Sequence, residues 1–187
     1  MTLTNYTENS YLDKTKALIF ELSKNLNFLS SSEEVLKFCV REFIPHFNLT
    51  DFVIYKYSAQ SKSLSKCATL NQFFFDHNDK REQLTLSLGS GIVGQTAIKK
   101  SSYLVNNTEK DQNYIVDEVR RYSELCTPID FKNKLVGVMD SEHEEKGFYN
   151  MELKQVFETL SLIIAPYLKE ISLRQSESNH LSRFRSM

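Results

Sequence analysis

Apolar residues at Leu18, Leu22, Leu26 and Leu29 recur three and four apart, which predicts a first helix over Tyr11–Leu29 with one buried face. Ser31-Ser32-Glu33-Glu34 then has the form of a capping box, with Ser31 as N-cap and Glu34 reaching back. It opens a second helix that buries Val35, Leu36, Cys39, Val40 and Phe43 and is expected to stop at Pro45. The period then changes. Aromatic and β-branched residues predict strands over Phe52–Tyr57 and Leu64–Leu70, and a third where Leu84, Leu86 and Leu88 alternate. Ser123–Asp130 and Lys134–Glu142 are apolar on both alternating faces, so they predict interior strands covered on both sides, joined by a tight turn at Lys132-Asn133. Asn150 is a good N-cap for a last helix, whose stripe from Leu153 to Ile171 is wider than one sheet face needs. Pro166 inside it predicts a kink. The order is αα-βββ-α-ββ-α.

Between these blocks lies LGSGIVGQTAIKK, where three of the chain's five glycines fall within seven residues at a helix start. Glycines there allow positive φ and leave amide donors free in the first turn. Strict alternation places Glu124 and Cys126 on one face of their strand, and Val136, Val138, Asp140 and Glu142 on one face of the neighbour. If the two faces coincide, three carboxylates converge. A buried, unpaired carboxylate costs several kcal/mol, so each must find a cation, hydrogen-bond donors or a proton. Arg120 or Arg121, just before the strand, is one source of charge for Glu124; a ligand's ammonium or other donor group is the other.

In sequence order, Gly89, Gly91, Ile92, Gly94, Ser123, Glu124, Leu125, Pro128, Ile129, Gly137, Val138 and Asp140 resemble the pattern of the GAF domain, a small-molecule sensory module. The resemblance covers roughly residues 32–168. It implies an α+β fold: a central antiparallel sheet of five or six strands, N- and C-terminal helices packed on one face, and a ligand pocket under loops and short helices on the other. Residues 1–31 would then be an N-terminal helix with a dimer contact, 32–168 the GAF domain, and 169–187 a polar helix extension or tail. The implied ligand-binding residues are Tyr55, Gly91, Ile92, Val93, Gly94, Tyr114, Asp117, Glu124, Cys126, Val138, Asp140 and Glu142. Amides of Gly91–Gly94 would take an anionic end and the acids a cationic one, a polarity that suits an amino acid.

One enzyme group within that fold, the free methionine-(R)-sulfoxide reductases, is similar in its acids: Glu124, Asp140 and Glu142 match the substrate side, and Tyr55 matches a first-strand aromatic. Its thiols are not matched. Val93 and Asp117 stand at the cysteine positions and the family's Trp falls on Asp51. Sulfoxide reduction by that route needs an attacking thiolate and a resolving thiol, which valine and aspartate cannot supply. The cyclic-nucleotide signature is also missing: Glu142, His143, Glu152 and Leu153 stand at its polar positions and only Phe148 agrees. No cysteine stands where chromophore-binding relatives attach a bilin. The expected function is therefore non-catalytic: a sensory or regulatory domain that binds a small molecule and signals through a helical homodimer to a separate partner protein.

Composition narrows the setting. A formal charge of −1 gives no global pull toward nucleic acid or anionic lipid, and no apolar run approaches the roughly 20 residues of a membrane span. The N-terminus carries neither a basic leader nor an apolar core, so the protein is expected in the cytoplasm. Cys39, Cys67 and Cys126 are far apart and read as buried hydrophobes, while His46, His77, His143 and His180 are scattered. No metal and no cofactor is expected. Phe73-Phe74-Phe75 cannot all point inward, and Tyr103, Tyr114 and Tyr122 bracket the loop expected over the pocket, with Tyr114 the one assigned a ligand role.

Overall fold

Two helices lead, α1 (Tyr11–Asn25) and α2 (Ser32–His46), followed by strands β1 (Val53–Ser58), β2 (Ser63–Thr69) and β3 (Thr85–Ser87). Helix α3 (Gly91–Lys99), strand β4 (Tyr103–Val105) and a short 3-10 turn at Thr108–Lys110 come next. Strands β5 (Ser123–Phe131) and β6 (Lys134–His143) and helix α4 (Met151–Arg185) complete the chain. This computed structural model describes residues 11–25, 27–69, 85–116 and 119–185. Leu26, the Phe73–Phe75 run, His77, Leu84 and Asp117 lie outside the described residues.

The strands form one antiparallel sheet in the order β3-β2-β1-β6-β5-β4. The α+β class and the six-stranded count agree with expectation, and β5 and β6 are interior, as their two apolar faces require. Strand β4 is the one the hydrophobic pattern does not announce. Only three residues long, it is held by pairing with Leu125 and its neighbours on β5. No helix among the described residues is long and apolar enough to cross a membrane.

Helices α1, α2 and α4 cover one face. At its centre Phe43 of α2, Phe52 before β1 and Phe157 of α4 meet with ring centroids 5.3–5.8 Å apart, all fully buried. Burying such a ring stabilises the fold by about 1.5–3 kcal/mol. The capping box forms with one change: Ser31 accepts from the Glu34 amide at 3.2 Å, while Glu34 accepts from the amide and hydroxyl of Ser30, one residue earlier. Asn150 caps α4 as expected, accepting from the Leu153 amide at 2.8 Å.

One expectation about the prolines, the stop at Pro45, is corrected. Helix α2 runs one residue past Pro45, to His46, and α4 runs through Pro166 to Arg185, so helix continues through 169–185. Pro166 is exposed, and the carbonyl four residues earlier belongs to Leu162, itself 72% exposed. Water can satisfy that carbonyl, which removes most of the reason for a break. The extra width of the α4 stripe is also accounted for within the chain, because Leu18 and Leu22 of α1 and Cys39 of α2 pack with Val156 and Leu160.

Candidate functional site

Strand register builds the site on the face opposite the three helices. Glu124 pairs with Glu142 and Cys126 with Asp140 across β5 and β6, so two residues from each strand form a square of side chains. Paired residues in an antiparallel ladder share a face, so the expected coincidence of faces holds for Glu124, Cys126, Asp140 and Glu142. It fails for Val136. A bulge at Ile129/Asp130 shifts the register there, and Val136 packs into the helix-side core.

Around the square, Tyr55, Val93, Ile92, Cys126 and Val138 pack as a second core, with Tyr114 partly buried against it. Helix α3 supplies Ile92 and Val93 because its first turn lies close on the chain before it. A Cβ on Gly94 would stand 2.8 Å from both the Gly89 amide nitrogen and the Ser87 carbonyl oxygen, so only glycine permits that approach. The Gly94 amide donates to the Ser90 carbonyl at 2.9 Å, which removes it from the amides expected to meet an anion. Gly91, at φ +66°, faces Asn113 and Ile115, the residues flanking Tyr114. Of the twelve residues predicted for the site, eleven are described and these elements bring them to one side of the sheet; Asp117 is the exception.

The acids interact chiefly with one another. Cys126 Sγ lies 3.2 Å from Glu124 Oε1 and 3.1 Å from Asp140 Oδ1, so the thiol bridges the two carboxyls. Burial, then the charges of Asp140 and Glu142, push Glu124 well above the usual carboxyl range. Burial raises Asp140 to about 7 and Glu142 to about 8, with Asp140 and Asp51 adding like charge to Glu142. The Cys126 thiol is held well above its ordinary value by burial and then by both carboxylates. These directions describe one event: the group retains protons at neutral pH.

Neither Arg120 nor Arg121 is Glu124's partner. The Arg121 cation acts weakly on Glu142, and Arg120 acts on Glu109. Arg121 contributes through its backbone, donating its amide to the Tyr114 hydroxyl at 2.8 Å. Tyr103 is directed elsewhere, donating to Asp111 at 2.9 Å, and Tyr122 lies under Lys146. His143, too, is occupied structurally: its ring stacks on Phe148 at 3.6 Å and its Nδ1 accepts the Glu145 amide at 3.1 Å.

Two participants have no signature in the sequence pattern. Asp51 precedes β1, outside the alternating pattern, yet its charge acts on both Asp140 and Glu142. Lys66 on β2 acts on Asp140 because a register shift at Ile54/Tyr55 sets it opposite Tyr55. No local signal marks either residue. The ligand atoms of Glu124, Cys126 and Asp140 lie within 4.8 Å of one another, a spacing compatible with a shared ion. A thiol within hydrogen-bonding distance of both carboxyls equally suits a group that keeps its protons.

By sequence the chain matches no protein-family model and no curated protein. By structure it has the GAF fold. It is similar to the GAF domain of an Acinetobacter phosphoenolpyruvate-protein phosphotransferase, with TM-score 0.72 and 16% identity over 91% of this chain and 99% of that one. The corresponding GAF domain from Coxiella burnetii gives TM-score 0.75 and 14% identity over 89% and 99%. A free methionine-R-sulfoxide reductase from Neisseria meningitidis, solved with its substrate, gives TM-score 0.67 and 15% identity over 94% and 99%. GAF domains and a sulfoxide reductase therefore both share this fold.

Proposed function

We propose that this chain is a non-catalytic GAF sensory or regulatory domain whose acid square receives the cationic or hydrogen-bond-donating group of a small molecule. The observation that carries the reading is Glu124, buried at 4% exposure, with a thiol and two carboxyls as its dominant neighbours. Such a group gains from a donor or cation far more than an exposed acid would. An amino acid suits the site best, with its ammonium on the acids and its carboxylate toward the first turn of α3.

Reductase chemistry is disfavoured by the thiols. Val93 occupies one cysteine position, and Cys126 has no second thiol on its side of the sheet among the described residues, since Cys39 and Cys67 belong to the helix-side core. A raised thiol pKa also leaves little thiolate to attack sulfur. Unpaired buried cysteines fit a reducing compartment, and we place the protein in the cytoplasm. For output we propose a homodimer through α1 and α4, where Phe20 is 62% and Leu162 72% exposed, with the signal passed to a separate protein.

Titration calorimetry with an amino-acid panel tests the central reading. Heat is expected for wild type and is lost in Glu124→Gln; absence of heat from both across the panel overturns it. A thioredoxin-coupled assay on free methionine sulfoxide should show no turnover. Sedimentation showing only monomer at high micromolar concentration would remove the dimer.

A further inference from the structure

We propose that the acids between β5 and β6 form a proton-dependent switch: while Glu124 and Asp140 share a proton the cover provided by Tyr114 stays down, and loss of that proton lifts it. This rests on the reading of the square as a binding site and assigns the control of access to it.

Proton counting carries the inference. Cys126 Sγ contacts Glu124 at 3.2 Å and Asp140 at 3.1 Å, and the ligand atoms of all three lie within 4.8 Å of one another. The thiol's one proton serves one carboxyl at a time, so the second sulfur–oxygen contact is a hydrogen bond only if its carboxyl carries a proton to donate. The closed arrangement therefore holds at least one carboxyl proton. Removing it leaves two buried charges on adjacent strands, beside Glu142, which pairs directly with Glu124. Charges so placed must recruit water or a cation.

Something has to move to admit either, and the strands are the stiffer side. Strands β5 and β6 pair without interruption from Ser123 and His143 to Ile129 and Gly137, the whole length of the site. Tyr114, by contrast, is anchored at its hydroxyl by the Arg121 amide at 2.8 Å and lies within reach of the charges of Glu142 and Glu124. Other charged or titratable groups face the square from each side. Asp51 precedes β1 and adds repulsion; Lys66 on β2 and Arg121 before β5 oppose it, on Asp140 and Glu142 respectively. Tyr103 of β4 and Tyr149 before α4 are themselves raised, and stay protonated throughout. Helix α3 presents apolar Ile92, Val93 and Ala97. Asp140, near 7, gives up its proton first; the proton then shared is the one Glu124 holds more tightly, so opening begins above about pH 7.

The chain contains no tryptophan, so Ile115→Trp, at an exposed position beside Tyr114, provides a single emitter. In ligand-free protein, acrylamide quenching of that residue should rise about twofold or more between about pH 5.5 and 9.5. Adding Glu124→Gln or Asp140→Asn should abolish the rise or move its midpoint by about one pH unit or more. Adding Tyr114→Phe should give the high value already at the acidic end. A flat profile overturns the switch, as does a rise that both amide variants leave unchanged. Should both fail to fold by circular dichroism, hydrogen exchange on the unsubstituted chain decides: the Arg121 amide must lose protection as pH rises, beyond the intrinsic acceleration, and retained protection overturns the switch. Since no ligand is present, a clear rise without calorimetric heat would sink the binding reading alone, whereas heat with flat quenching would sink the switch alone.

Discussion

On one face of the sheet Phe43, Phe52 and Phe157 meet ring to ring, fully buried, with no polar obligation to satisfy. On the other, reached through the same strands, Glu124, Cys126 and Asp140 are buried too and satisfy one another only by keeping protons. Burial stabilises the first face and strains the second. Apolar side chains gain from leaving water, whereas acids tolerate it only with a partner, and here the partners are other acids. The contrast separates scaffold from site: changes to one face weaken the fold, while the other holds free energy that a ligand or a change in pH can release.

Substitutions on the two faces should therefore act in opposite directions. Phe157→Ala, in the middle of the aromatic cluster, should lower unfolding free energy by about 3–5 kcal/mol, read from the denaturant midpoint. A loss below about 1 kcal/mol would show that the helix face is not the principal core. On the site face, Glu124→Gln should instead stabilise the protein by about 1–2 kcal/mol above pH 8, because it removes a charge that burial disfavours. Destabilisation at that pH would break the comparison.

The pH dependence has a definite sign. Asp140 and Glu142 are raised to about 7 and about 8, so between about pH 4 and pH 8 the folded chain holds protons that the unfolded chain has released. Wild-type stability should consequently fall as pH rises through that window and level off above it. The fall amounts to about 1.4 kcal/mol for every tenfold difference in a carboxyl's proton affinity between the folded and unfolded chain. Asp140→Asn should flatten the slope, as chemical denaturation at several pH values would show. A smaller effect is expected of Tyr149→Phe, which removes a buried hydroxyl that donates to Ser141 at 2.7 Å: a loss of about 0.5–1.5 kcal/mol. Smallest of all is Lys16→Ala, which breaks an exposed pair with Asp13 at 3.3 Å and should change stability by no more than about 0.5 kcal/mol.

Much of the helix face is legible without coordinates, because amphipathic spacing and caps are local. Leu18, Leu22, Val35, Leu36, Cys39, Val40, Phe43 and the α4 stripe all take the positions their periodicity predicts. Strand β4 is not legible, since three residues carry too little pattern, and neither are the bulge that turns Val136 to the other face or the passage of α4 through Pro166. Each depends on a partner distant in sequence or on solvent: β5 for β4, the offset between β5 and β6 for Val136, and exposure of the Leu162 side for Pro166.

For the site the division is similar. Residue types and parity along β5 and β6 are sufficient to place Glu124 with Cys126 and Asp140 with Glu142, and the glycine spacing marks the start of α3. Which acid faces which is decided by the register of the ladder, and so is the participation of Asp51 and Lys66. The sequence by itself determines an α+β chain with acids on the inner strands, because side-chain period and turn chemistry act over a few residues. Only the tertiary structure decides that those acids face one another instead of Arg120 or Arg121, because charge and burial act through space and respond to whatever the fold brings near.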